Sequence, residues 1–238
     1  MNEYPKIPTL FKRGDDRKVI PFEWSEPEFD YLRDNSWEFT EKVDGTNIRV
    51  GLEPFPESSG RPYDDWFLHI AGRTDKSDIP PFLVDKLMSL FTADNLKALW
   101  RGQKNCEECG GFGRVGPMTC SCVVPYPITL YGEGYGARIQ KGGGNYIKDG
   151  VDFVLFDVMV GGMWLRRTDV HRIASELGIK HVPVIARGLL GDAIDLVHHG
   201  ICSEWGPFTA EGLVARPAIE LRDRRGRRII GKLKEKDF

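Results

Sequence analysis

Lys42 stands two residues before Asp44-Gly45, at the end of the strand-like run Trp37-Glu38-Phe39-Thr40 and ahead of a second such run, Ile48-Arg49-Val50. A lysine amine is a weak nucleophile until it loses a proton, and nearby cations with partial burial favour that loss. Lys232 and Lys234 share one face of a strand by the two-residue period. Carboxylates stand at strand ends in two places, Glu133 within Tyr131-Gly132-Glu133-Gly134-Tyr135-Gly136 and Glu211 opening Glu211-Gly212-Leu213-Val214, and a third, Asp157, follows an aromatic in the buried-looking run Phe153-Val154-Leu155-Phe156. Arg73 follows another strand-like run in Gly72-Arg73-Thr74. Together these residues offer an amine to attack, two cations to neutralise phosphate, and a planar fork that fits it. The carboxylates add oxygens for Mg²⁺ or for ribose hydroxyls. Each piece alone has a plainer reading. Asp-Gly between strands is a hairpin turn beside a solvated lysine, an apolar strand fills a core, and a lysine pair decorates a charged strand edge.

The elements that must carry these residues follow from pattern and punctuation. Residues 1–36 read as an irregular, Pro-punctuated lead-in with one short helix at Glu26–Arg33, and residues 37–52 as a hairpin turning at Asp44-Gly45. Residues 53–65 are a loop, and Trp66–Ala71 a strand. Apolar spacing predicts helix over 81–101. Ile128–Gly132 is a short strand, 141–150 a mobile glycine-rich loop, and Val151–Val160 a strongly apolar strand. Thr168–Leu177 is a helix capped by Thr168 and stopped by Gly178, followed by a strand at Val182–Ala186 and a helix over Asp192–His199. Strands are expected at Leu213–Ala215, Ala218–Leu221 and Arg228–Lys234, the last two around a turn at Arg225-Gly226. Many antiparallel strands with few helices give an α+β fold.

The 238 residues suffice for a proper core. A 41% hydrophobic, 29% charged composition is that of a soluble globular chain. The net charge of −2 excludes a uniformly basic protein but leaves room for a local basic face. Arg216, Arg222, Arg224, Arg225, Arg227, Arg228, Lys232, Lys234 and Lys236 supply one near the C-terminal end. No run reaches membrane-spanning length and no signal-peptide pattern opens the chain, so a cytoplasmic location is expected, with no membrane partner. Four of the five cysteines fall within 106–122, a clustering that points to metal in a reducing compartment.

Lys42-Val43-Asp44-Gly45-Thr46-Asn47 resembles the defining lysine motif of the covalent nucleotidyltransferase superfamily of polynucleotide ligases and capping enzymes. The motifs around Arg73, Glu133 (with Ile139-Gln140 following), Phe153–Asp157, Glu211 and Lys232-Leu233-Lys234 follow in the superfamily's order over roughly 37–238. The chain is most similar to phage-type ATP-dependent RNA ligases of the double-strand-sealing and editing group. That resemblance implies an ATP-grasp-like nucleotidyltransferase (adenylation) domain of antiparallel sheets with flanking helices, spanning 1–238. It implies that Lys42 forms lysyl-AMP from ATP with Mg²⁺ and passes AMP to a 5′-phosphate, which a 3′-hydroxyl then attacks. Glu41, Asp44, Gly45, Asn47, Arg73, Glu133, Phe156, Glu211, Lys232 and Lys234 would bind the nucleotide, Phe156 stacking on adenine. Glu211 and Asp157 would sit near Mg²⁺. The implied partner is nucleic acid, preferably RNA, and the protein is expected to be a monomer.

Two departures from the pattern stand out. Full-length relatives continue past the last motif into a C-terminal domain, and DNA ligases and capping enzymes carry an OB domain there, whereas this chain stops at Phe238. An adenylation domain without a C-terminal OB or helical domain is therefore expected. The second departure is an insert over 102–124, where Cys106-Glu107-Glu108-Cys109-Gly110-Gly111-Phe112-Gly113 resembles a co-chaperone zinc knuckle and Cys120-Ser121-Cys122 follows. Cys106, Cys109, Cys120 and Cys122 suit one tetrahedral, structural Zn²⁺. A capping guanylyltransferase and a non-catalytic nucleic-acid-binding module that kept the fold are the alternative functions.

Overall fold

A computed structural model describes residues 1–55, 59–60, 66–99, 114–115, 118–119 and 126–238. Cys106, Cys109, Cys120 and Cys122, and with them the zinc reading of the insert, lie outside the described residues. In chain order the first elements are β1 (Phe11–Arg13), β2 (Val19–Trp24), α1 (Pro27–Leu32), β3 (Trp37–Glu41), β4 (Thr46–Pro54) and β5 (Trp66–Ala71). Next come α2 (Pro81–Leu90), α3 (Ala93–Ala98), the paired β6 (Arg114–Val115) and β7 (Met118–Thr119), β8 (Ile128–Gly136), α4 (Gly143–Tyr146) and β9 (Val151–Val160). The rest are β10 (Met163–Trp164), α5 (Arg167–Leu177), β11 (Lys180–His181), β12 (Val184–Gly188), α6 (Asp192–His198), β13 (Gly212–Pro217) and β14 (Gly231–Lys234). Among the described residues no helix is long and apolar enough to cross a membrane.

The chain divides into two compact units that interleave along the sequence. The first comprises Met1–Glu3, Asn47–Gly132 and Asp152–His181. Its sheet runs β10-β9-β8-β4-β5, with β11 added in parallel to β9. Phe153, Val154 and Leu155 are fully buried on β9, as its apolar run requires, and Phe91 meets Phe153 edge-on at 5.2 Å. Over its described residues, 81–99, the helical pattern resolves into two helices. Thr92 breaks it, because its side chain caps α3 by accepting from the Asn95 amide while Asn95 returns a bond to the Thr92 amide.

The second unit comprises Tyr4–Thr46, Glu133–Val151 and Val182–Phe238. The four strands of its sheet pair antiparallel, in the order β12-β3-β13-β14. The alternation along β14 buries Gly231 and Leu233 and leaves Lys232 and Lys234 partly buried on the other face. Leu10, Phe11, Phe29, Trp37, Phe39, Leu213 and Leu233 share one core with α6 residues Ala193 and Val197. Burying such side chains contributes about 1.5–3 kcal/mol each.

Several expectations need correction. The hairpin over 37–52 does not form: β3 pairs with β12 and β13, while β4 joins the sheet of β5 and β8. The lead-in over 1–36 contains a β1–β2 hairpin besides its helix. The loop over 141–150 contains α4, and the short strand at 128–132 extends through the glycine-rich motif to Gly136. Thr168 does not cap α5: Arg166 is the N-cap residue, without a side-chain bond, although Gly178 stops the helix in the left-handed region at φ 65°. Ala218–Leu221 is not a strand, and beside Arg225-Gly226 only an isolated Arg222–Arg228 bridge precedes β14.

Candidate active site

Three neighbouring strands of the second unit set the centre. β3 ends at Glu41, β13 starts at Gly212 and β14 ends at Lys234, and antiparallel pairing puts these ends side by side. Leu213 faces Glu41 and Gly212 faces Lys234. The Lys42 amide donates to the Gly212 carbonyl at 2.9 Å, which extends the register by one residue. Glu211 therefore projects between the two lysines. Lys42 Nζ lies 2.5 Å from Glu211 Oε2, and Lys234 Nζ bonds Glu211 Oε1. All three side chains are largely buried, at 21%, 16% and 19% exposure. Burial pushes the Glu211 carboxyl up, yet the two ammonium groups outweigh it and hold the group below the ordinary carboxylate range. Gly212 is needed at φ 150°, where a Cβ would also stand 2.1 Å from the Leu233 carbonyl oxygen.

More charge converges on the same point. Burial pushes Glu133 up to about 8; Lys42 opposes that shift, while Glu211 and Asp44 add to it. Asp44 is raised by burial and then by Glu211, with Lys42 and Lys234 opposing. Lys232 is lowered by burial, then by the charges of Lys234 and Lys42. A crowded patch of three carboxylates and three ammonium groups is thus built within one unit. Gly45 lets it close: a Cβ there would lie 2.3 Å from the Gly134 carbonyl oxygen and 2.7 Å from Glu133 Cγ. The glycine serves this close approach of two motifs rather than a hairpin turn.

Supporting contacts fix the lysine loop. Glu41 is 1% exposed, and its carboxylate accepts from Ser203 Oγ at 2.7 Å and from the Glu204 amide at 2.9 Å. Burial raises its pKa, and those two bonds pull the other way. Glu41 therefore anchors the loop from behind. The Asp44 amide donates to Tyr146 Oη at 3.2 Å, and Gln140 Nε2 donates to the Gly45 carbonyl at 3.1 Å. Tyr146 packs edge-on with Tyr135, Trp205 and Phe208. Ser203 and Tyr146 were not identified from sequence. Ser203 is 162 positions from Glu41 and has no local signal, whereas Tyr146, an aromatic isolated in a glycine-rich run, could have raised suspicion.

The remaining candidates belong to the first unit. Asn47 opens that unit along β4, and its Oδ1 is buried without a hydrogen-bond partner. Phe156 is half-buried on β9 between the fully buried Leu155 and the 2%-exposed Asp157. Arg73 is exposed just after β5. Fully buried Arg49 orders the turn around it, donating to the Gly72 carbonyl at 2.7 Å and pairing with Asp75 at 2.7 Å. Among the described residues no cluster of three or more His, Cys, Asp or Glu side chains has metal-binding geometry.

A family model described as RNA ligase matches residues 35–234. No curated protein matches the chain. A Naegleria gruberi RNA ligase mutant with ATP and Mn is a similar solved structure, at 17% identity and a TM-score of 0.57, covering 98% of this chain and 57% of that one. The Naegleria gruberi RNA ligase with PPi gives 17% identity and 0.58, with 98% and 62% covered. An archaeal ATP-dependent RNA ligase gives 14% identity and 0.57, with 100% and 49% covered. At these identities the likeness is one of fold, and the chain spans about half to three-fifths of those proteins.

Proposed function

The chain belongs to the RNA ligase family, and from that membership we propose that it is an ATP-dependent RNA ligase of the double-strand-sealing and editing group, acting through lysyl-AMP. The observation that carries the reading is the sharing of Glu211 between Lys42 and Lys234. An amine at a rigid strand end, beside cations and carboxylates, matches the needs of nucleotidyl transfer, which is mostly alignment and charge stabilisation.

In the first step Lys42 parts from Glu211, loses a proton and forms a bond from Nζ to the α-phosphorus of ATP, while the bond to pyrophosphate breaks. A 5′-phosphate oxygen then takes the adenylyl group as the N–P bond breaks. Finally a 3′-hydroxyl attacks that 5′-phosphorus and AMP leaves. Lys232 and Lys234 offset the negative charge at phosphorus. Glu133, neutral near pH 7 with its pKa at about 8, can both donate to and accept from ribose hydroxyls. The orphaned Oδ1 of Asn47 suits a donor on the nucleotide. Phe156 offers a stacking face for adenine, and Arg73 a phosphate contact.

The hard carboxylate oxygens of Glu211, a group held in its charged form by Lys42 and Lys234, suit Mg²⁺. Glu211 is the principal candidate to hold the ion and Asp157 a second. Mg²⁺ would supply Lewis-acid neutralisation of phosphate. The four cysteines of the insert are assigned one structural zinc, which elemental mass spectrometry would find at one atom per chain; none found, with four reactive thiols, removes that assignment.

The deciding experiment incubates the protein with α-labelled ATP and Mg²⁺ and then adds nicked RNA and DNA duplexes. A labelled band on a denaturing gel, its absence in Lys42→Ala, weak labelling by GTP and sealing of the RNA nick are expected. Full adduct in Lys42→Ala would overturn the assignment.

A further inference from the structure

The second unit pairs residues that lie outside the family match at both of its ends. Pro8, Thr9 and Leu10 run in parallel along the outer edge of β14. The Lys232 amide donates to the Pro8 carbonyl at 3.0 Å, and the Leu10 amide donates to the Lys232 carbonyl at 2.9 Å. Leu10 is fully buried, and a Cβ on Gly231 would lie 2.3 Å from its Cδ2, so the segment seats tightly on this strand. Without it, β14 would present the unpaired backbone groups of an edge strand.

The end of β14 is held by a second device. Asp237, 1% exposed, accepts from the Lys234 amide at 2.9 Å through Oδ2 and from Arg13 Nη2 at 2.6 Å through Oδ1. Arg13, on β1, also donates to Thr9 Oγ1 at 3.3 Å. Lys18 Nζ donates to the carbonyls of Lys236 and Phe238. A buried carboxylate bound to the lysine's own amide and to a guanidinium is a charge-assisted clamp.

We propose that Pro8–Arg13 is a positioning element for Lys232 and Lys234, with Arg13 acting through Asp237 to set where the Lys234 ammonium stands. The inference rests on the reading of those lysines as phosphate-facing. Arg13 touches no proposed substrate atom. Its role is to keep the strand end from fraying while Glu211 and the nucleotide compete for Lys234.

The test compares Arg13→Ala, Arg13→Lys, Lys234→Ala and the Arg13→Ala/Lys234→Ala double variant for the rate of lysyl-AMP formation, with melting temperature measured alongside. Hydrogen exchange is read at the Lys232 and Lys234 amides. Expected is a slowing on the order of 10–100-fold in Arg13→Ala, the range a misplaced group can cost, largely restored by Arg13→Lys. The double variant should be no slower than Lys234→Ala, because the two changes remove one function. Both amides should exchange faster in Arg13→Ala while those of β3 stay protected. Unchanged exchange, or slowing that multiplies in the double variant, overturns the proposal. If the unmodified protein forms no adduct, the ligase reading fails, and the exchange measurement still decides the positioning claim.

Discussion

Lys42 and Glu211 meet at 2.5 Å, from the ends of adjacent strands 169 positions apart in sequence. Because Lys234 holds the other oxygen, removing the negative charge leaves the Lys42 and Lys234 ammonium groups without the carboxylate that they share. Glu211→Gln should therefore slow adduct formation on the order of 10²–10³-fold, the range for losing one preorganised electrostatic group. The same variant should label faster at residue 42 with a small amine-reactive reagent, since the amine is no longer held. A rate equal to that of the unmodified protein would remove Glu211 from the machinery.

Glu133 sets a pH signature. Its folded-state pKa of about 8 stands above the ordinary value of 4.5, so the folded protein binds the extra proton. The corresponding stability is fully present below about pH 4.5 and is lost as pH rises through 8. Glu133→Gln removes a group that must be charged at cost in alkali. Its melting temperature should gain on that of the unmodified protein as pH rises from 4.5 to about 8 and keep that lead above it, by about 2–4 °C for each kcal/mol recovered. Parallel melting curves across that range would refute the shift.

Much of this arrangement was legible in the sequence, for reasons that differ by element. β9 keeps its expected bounds because a ten-residue run that is apolar except at Asp152 and Asp157 leaves little choice. Lys232 and Lys234 share a face because alternation is intrinsic to a strand. Asp44-Gly45 misled because local turn chemistry cannot say which sheet the next strand joins. The space that excludes a Cβ at Gly45 comes from Gly134 and Glu133, nearly ninety positions away. α4 was hidden by glycines that ordinarily argue against helix; Gly143 is there because a Cβ would lie 1.9 Å from the Gly136 carbonyl oxygen. Ser203, Asp237 and Arg13 act through tertiary contacts alone.

The anchoring of Glu41 predicts a loss away from the chemistry. Ser203 Oγ supplies one of the two bonds to a carboxylate that is 1% exposed. Ser203→Ala should destabilise the protein by about 1–3 kcal/mol, the cost of leaving a buried acceptor short of a donor. Ser203→Thr, which keeps the hydroxyl, should recover part of it. Denaturant unfolding monitored by tryptophan fluorescence measures both. Unfolding of Ser203→Ala at the unmodified midpoint would show that the bond does not anchor the lysine loop.

The basic stretch near the C-terminal end is smaller than its arginine count suggests, because the structure neutralises much of it. Arg228 forks onto Glu220, Arg227 pairs with Asp223 and Glu26, and Lys234 pairs with Glu211. Arg222, Arg224 and Arg225 remain exposed around a turn fixed by Asp223, whose Oδ1 accepts the amides of Arg225 and Arg227. A preorganised tip bearing three exposed guanidinium groups that form no ion pair among the described residues can release counterions from a phosphate backbone. Replacing all three with alanine should lower the slope of log affinity against log salt for single-stranded RNA by roughly 2, at about 0.7 per phosphate contact. Replacing Arg228, held by its carboxylate, should leave that slope nearly unchanged and instead lower the melting temperature. Fluorescence anisotropy at several salt concentrations distinguishes the two, and equal slopes for the triple variant and the unmodified protein would show that RNA does not dock on this turn.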